Sequence, residues 1–157
     1  MAKNTNDTSF RKINVDTIDS ASGAPLEYED VAGPNEATLQ SLVSTKRYAD
    51  VLKELARTIP LRSKNQQVKD QAAEIATRIL GKFNKEAIAS GLDGISGLES
   101  EAILHYVFRG FEIATENGTI NALLAFHNGI FDKCGNGGVS RVVWSIYRLG
   151  PSQASSA

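Results

Sequence analysis

Apolar residues recur at helical spacing through most of this chain, and one segment carries the pattern most densely. In Ser100–Glu112, Ile103, Leu104, Val107, Phe108 and Phe111 share one side of a helix, and Ala102 and Tyr106 widen the apolar arc. A helix with so little polar surface is expected at the centre of the fold, with other helices packed around it. The same periodicity predicts neighbours on both sides. Before it come helices over about 35–44 (Leu39, Leu42 and Val43 inward), 47–58 (Val51, Leu52, Leu55), 65–83 (Val68, Ala72, Ile75, Ala76, Ile79, Phe83) and 84–91 (Ala87, Ile88). After it come 119–134, with Ile120, Leu123, Leu124, His127, Phe131 and Cys134 on one face, and 139–149, with Val139, Val142, Val143 and Ile146 inward.

Local signals set the ends. Pro60 stops the second helix, Asn84 is an N-cap and Gly91 a C-cap for the fourth, and Gly135-Asn136-Gly137-Gly138 separates the last two. Glu74 and Arg78 stand i,i+4 on the polar side of the third helix. Between Pro60 and Pro151 no proline forbids helix, and no segment alternates like a strand bounded by hairpin turns. The expected fold is all-α: about seven helices in an antiparallel, solenoid-like array with an extended N-terminal arm.

The arm, residues 1–33, differs in texture. It holds six acidic and three basic residues and few large apolar groups, too little to order itself. One island stands out, Phe10-Arg11-Lys12-Ile13-Asn14-Val15-Asp16-Thr17-Ile18-Asp19, in which Ile13 and Val15 alternate with polar residues. It reads either as part of a disordered tail or as a short motif that orders on a partner. The expected division is an arm over 1–33, a helical core over 34–150 and a polar tail over 151–157.

Composition narrows the function classes. With 41% hydrophobic and 22% charged residues, 157 residues suffice for one domain with a real core. A net charge of -1 gives no reason to expect nucleic acid or an anionic membrane as partner. No apolar run approaches the ~20 residues of a membrane span, and the polar start shows no secretory signal. With Cys134 alone there is no intramolecular disulfide, and the cytoplasm is the expected compartment.

Catalytic chemistry finds no foothold. His105 and His127 lack a second ligand at i,i+3 or i,i+4, Cys134 reads as a buried inert thiol, and Glu99 and Glu101 are too close to face each other across a cleft. The glycine run at 135–138 lacks the preceding strand and the Lys-Ser/Thr ending of a phosphate loop. No cofactor is expected. Helix 139–149 offers more: Trp144 and Tyr147 lie three apart, away from its valines, with Arg141 and Arg148 nearby. A helix apolar on nearly all sides is either sunk in its own core or covered by a partner, and Trp, Tyr and Arg favour the partner.

Several segments, in order, resemble subunit 5 of the actin-related protein 2/3 complex, the p16 subunit family. They are Phe10-Arg11-Lys12-Ile13-Asn14-Val15-Asp16, Lys64-Asn65-Gln66-Gln67-Val68-Lys69-Asp70, His105-Tyr106-Val107-Phe108-Arg109-Gly110-Phe111-Glu112, Leu123-Leu124-Ala125-Phe126-His127 and Gly137-Gly138-Val139-Ser140-Arg141-Val142-Val143. The resemblance implies a non-catalytic, all-helical subunit of the nucleator of branched actin filaments, in the cytoplasm and actin cytoskeleton. It implies a core docked on a scaffold subunit and a β-propeller subunit, and an arm tethering an actin-related subunit. The residues expected to meet partners are Phe10, Arg11, Lys12, Ile13, Val15 and Asp16 on the arm, and Arg141, Trp144, Tyr147 and Arg148 on the last helix. The alternative is a free-standing helical-repeat adaptor that binds peptides.

Overall fold

The computed structural model describes residues 31–149, except for the side chain of Tyr147. The arm residues Phe10, Arg11, Lys12, Ile13, Val15 and Asp16, and the tail 151–157, lie outside the described residues. Six α-helices follow one another: α1 Glu36–Ser44, α2 Tyr48–Arg57, α3 Gln66–Leu80, α4 Lys85–Asp93, α5 Gly97–Ile113 and α6 Asn117–Ser145, which ends in a 3-10 turn over Ile146–Arg148. Among the described residues the fold is all-helical, as the periodicity predicts.

Side chains that satisfy the first free N–H groups start four of the helices. Asn35, Asn65 and Asn84 each accept a backbone N–H at the start of α1, α3 and α4. At α5, Ser96 accepts from the Glu99 N–H while the Glu99 carboxylate accepts from the Ser96 N–H, a complete capping box. These hydrogen bonds to Ser96 hold the Glu99 carboxyl below its ordinary pKa.

The central place of α5 follows from its burial. Ile103, Leu104, His105, Tyr106 and Val107 are five consecutive buried residues, more than one full turn, so the helix is covered all round. It packs on α6, α2 and α3. The core gathers Leu39, Val51, Leu52, Leu55, Ile79, Leu80, Ile103, Leu104, Leu123, Phe126 and Ile130, and the Tyr48, Phe83 and Phe126 rings step through it in tilted contacts of 5.2 and 5.4 Å.

Several expectations are corrected. Gly91 does not end α4; the helix runs on to Asp93 with Gly94 as its cap. Gly91 is instead a close approach, where an added Cβ would stand 3.0 Å from Leu52 Cδ1. Arg78 meets Glu36 of α1 at 2.7 Å and makes no pair with Glu74, because a neighbouring helix brings a carboxylate closer than the same helix does. Phe111 is half-buried against the core, near the exposed end of α5. Cys134 is half-buried, its thiol 3.6 Å from the Gly97 carbonyl.

The last two expected helices meet at a kink within α6. The break contracts to a single residue, Gly135, at φ 62° and ψ -171°, a conformation essentially reserved for glycine. Gly138 is already buried in the resumed helix. Beside the break, the Lys133 ammonium donates to the carbonyls of Leu92 and Ile95, joining the end of α4 to α6.

Candidate partner-binding surface

The C-terminal turns of α6 lie along α5, and two contacts fix the register. Arg141 forks onto Glu101, with Nε 3.2 Å from Oε2 and a terminal nitrogen on Oε1. One turn further along α5, Ser145 Oγ lies 3.3 Å from His105 Nε2. The Ser145 hydroxyl also stands 2.9 Å from the Arg141 carbonyl, to which it donates, so it accepts from His105 Nε2–H. Nδ1 is then the unprotonated nitrogen, and it is buried without a hydrogen-bond partner. Burial, reinforced by the Arg148 cation and opposed by Glu101, depresses the His105 pKa to about 4. The imidazole is neutral at neutral pH.

Gly138, Val142 and Leu149 form the buried line of this segment. Trp144, about 200° around the helix from Val142, therefore points away from the core and is 84% exposed. Val143, expected inward, is 49% exposed, because it stands about 100° around the helix from the buried Val142, off the line that faces the core. Arg148 is exposed and makes no ion pair among the described residues. Tyr147 belongs to the 3-10 turn. The structure thus brings Arg141, Trp144 and Arg148 to one end of α6.

A second surface has no counterpart among the sequence expectations. From Asn117 to Phe131, α6 carries no Asp, Glu, Lys or Arg. Asn117, Asn121, Leu124, Asn128 and Phe131, spaced by four and three, are all exposed and share one face. Leu124 and Phe131 were expected inward; they face out because Leu123, Phe126 and Ile130 take the core side. Beside the stripe, His127 meets Phe108 edge-on at 5.8 Å. An exposed face of amides and apolar groups without charge has the composition of an interface centre. The signal was available as the 15-residue gap in charge.

The third feature is an open groove of about 710 Å³ between α1, α2 and α5, with Leu42, Ala56, Leu98 and Ala102 among its walls and Leu98 79% exposed at its edge. Its charged groups are largely satisfied: Arg47 pairs with Asp50 and Arg57 with Glu54, both at 2.7 Å, and Glu99 caps α5. No group of three or more His, Cys, Asp or Glu among the described residues is placed to hold a metal ion, and no described helix is long and apolar enough to cross a membrane.

The described core is thus all-helical, with an uncharged face on α6 and an exposed Trp144 and Arg148 at the C-terminal end of that helix. The chain is 29% identical over 149 residues to actin-related protein 2/3 complex subunit 5-B of Xenopus laevis, covering 92% of this chain and 97% of that one. It is 28% identical over 145 residues to subunit 5-C of the same organism, covering 91% and 96%. It is 22% identical over 143 residues to the probable subunit 5 of Caenorhabditis elegans, covering 90% and 98%. Residues 9–148 match the family described as the ARP2/3 complex 16 kDa subunit (p16-Arc), and the chain belongs to that family.

Proposed function

We propose that this chain is a non-catalytic structural subunit of the actin-related protein 2/3 complex and serves that assembly in nucleating branched actin filaments. Its helical core docks on a scaffold subunit and a β-propeller subunit. The arm, through Phe10, Arg11, Lys12, Ile13, Val15 and Asp16, tethers an actin-related subunit. The protein works in the cytoplasm, in actin patches or at the cell cortex.

The observation that carries this reading is the extent of the family match, residues 9–148, which takes in the arm island as well as all six helices. The uncharged stripe on α6 and the exposed Trp144 support a core that is covered in its working state. The division of labour follows from energetics. Ordering the island buries apolar area at roughly 25 cal/mol per Å² and loses ~1–2 kcal/mol of backbone entropy per residue. The contact is weak alone and useful as a tether, because the docked core raises its effective concentration.

The test is deletion of residues 1–33 in a recombinant complex. The truncated chain is expected to fold and to co-elute with its named neighbours, while activator-stimulated polymerisation falls. Full nucleation by the truncated assembly refutes the tether. If the intact chain does not co-elute with the complex, the subunit reading itself fails.

A further inference from the structure

Charge is distributed unevenly along this chain. The residues after Asp132 hold three bases, Lys133, Arg141 and Arg148, and no Asp or Glu. Two of the three are spoken for within the fold: Lys133 by the Leu92 and Ile95 carbonyls, and Arg141 by Glu101. The Glu101 side chain is only 16% exposed beneath that guanidinium, so its negative charge is withdrawn from the surface. Arg148 remains exposed and without an ion pair among the described residues, and the imidazole beneath it is neutral. Trp144, also exposed, stands four residues before it at the end of α6, where the 3-10 turn carrying Arg148 begins, and the exposed Val143 precedes it in the chain.

We propose that the Trp144–Arg148 end of α6 docks an acidic polypeptide surface, a carboxylate on the Arg148 fork and an apolar side chain against Trp144 and Val143. This deepens the subunit reading by giving the chemistry of one partner surface. An uncompensated guanidinium takes a carboxylate through two parallel hydrogen bonds, and a neighbouring indole shields that pair from water. A nucleic acid fits poorly, since its affinity comes from several phosphate contacts and one free cation supplies too few. An anionic membrane fits poorly for the same reason, its recognition calling for clusters of about 4–8 basic residues.

Trp144 is the only tryptophan of the chain, so intrinsic fluorescence reports on this site alone. The experiment titrates the full chain with a synthetic peptide of alternating Glu and Leu, and with its Lys-Leu counterpart. The expected result is a blue shift of Trp144 emission with the acidic peptide only, weakening as salt is added. Arg148→Glu is expected to weaken binding about tenfold or more, whereas Arg62→Glu, on an exposed loop elsewhere, leaves it unchanged. A far-ultraviolet melt checks that each variant is folded, and Arg148→Gln replaces Arg148→Glu if the reversal unfolds the chain.

Equal response to both peptides, no response to either, or undiminished binding by the Arg148 variant overturns the proposal. So does an emission already blue-shifted in the free chain that deletion of residues 1–30 moves to the red, since the chain's own Glu27, Glu29 and Asp30 would then hold the site. The peptide titration decides this inference independently of co-elution with the complex, which decides the subunit reading.

Discussion

Phe126 and Phe131 stand five residues apart on α6 and test which side of that helix holds the fold together. Phe126 is completely buried, with its ring 5.4 Å from that of Phe83. Truncation to Ala removes the transfer energy of the ring and leaves a cavity among residues that cannot collapse fully, a loss of about 3–5 kcal/mol. At roughly 4 °C per kcal/mol for an ordered domain of this size, the midpoint falls by about 12–20 °C. Phe131 is 40% exposed. Its Ala variant leaves no enclosed cavity, loses about 1.5 kcal/mol of partial burial and recovers about 0.5 kcal/mol of helix propensity, for a net loss of about 1 kcal/mol.

Thermal and urea unfolding of the isolated chain, followed by far-ultraviolet dichroism, measures both. In the assembled complex the order is expected to reverse for binding: Phe131→Ala weakens association by about 2 kcal/mol if the uncharged stripe is an interface centre. Equal destabilisation by the two variants, or less than about 1 kcal/mol from Phe126→Ala, refutes the assignment of the helix faces.

Two backbone substitutions are expected to act in opposite directions. Gly135→Ala costs about 1–3 kcal/mol although nothing lies within 4 Å of the added methyl, because the conformation itself excludes a side chain. Lys46→Gly stabilises by about 1 kcal/mol: Lys46 is held at φ 58° by the Lys46 N–H to Val43 and Arg47 N–H to Leu42 bonds that close α1. Urea midpoints at constant slope check both. His105 gives a pH signature. Its folded pKa, about 4, lies below the unfolded value near 6.5, so its stability contribution is complete above pH 6.5 and is lost as pH falls through 4. At about 1.4 kcal/mol per pH unit the loss reaches about 3 kcal/mol, and His105→Gln is expected to remove that part of the acid sensitivity while leaving the carboxylate part.

The sequence made the interior legible and the exterior much less so. Periodicity identified α5 as the central helix because its apolar arc exceeds what one neighbour can cover, and burial all round at 103–107 bears this out. Asn84 was readable as a cap because the signal is local. Periodicity says which residues share a face and not whether that face is covered. Leu124, Phe131 and Val143 were therefore expected inward and are exposed. The Arg78–Glu36 and Arg141–Glu101 pairs, 42 and 40 residues apart, exist only once the helices have packed. His105 lacked a partner in its own helix; Ser145, which fixes its tautomer, comes from α6.

The single-residue break in α6 is what makes the Trp144 end an outer surface. Before it, the core side is marked by Leu123, Phe126 and Ile130. In an unbroken helix turning about 100° per residue, Arg141, Trp144 and Arg148 would all return to within about 40° of the Ile130 direction, and Val142 would stand about 120° away. The opposite is observed: Val142 is 2% exposed and Trp144 84%. The extended backbone at Gly135 resets the phase, so that the line Gly138, Val142, Leu149 continues the core while the indole turns outward. Two surfaces of different chemistry then share one helix, an uncharged amide-apolar stripe before the break and a cationic aromatic end after it. Restoring a regular helix at Gly135 would drive Trp144 and two arginines toward the core. Only a residue that adopts this backbone without strain keeps Trp144 outside and Val142 in the core, which gives Gly135 its part in setting what α6 exposes.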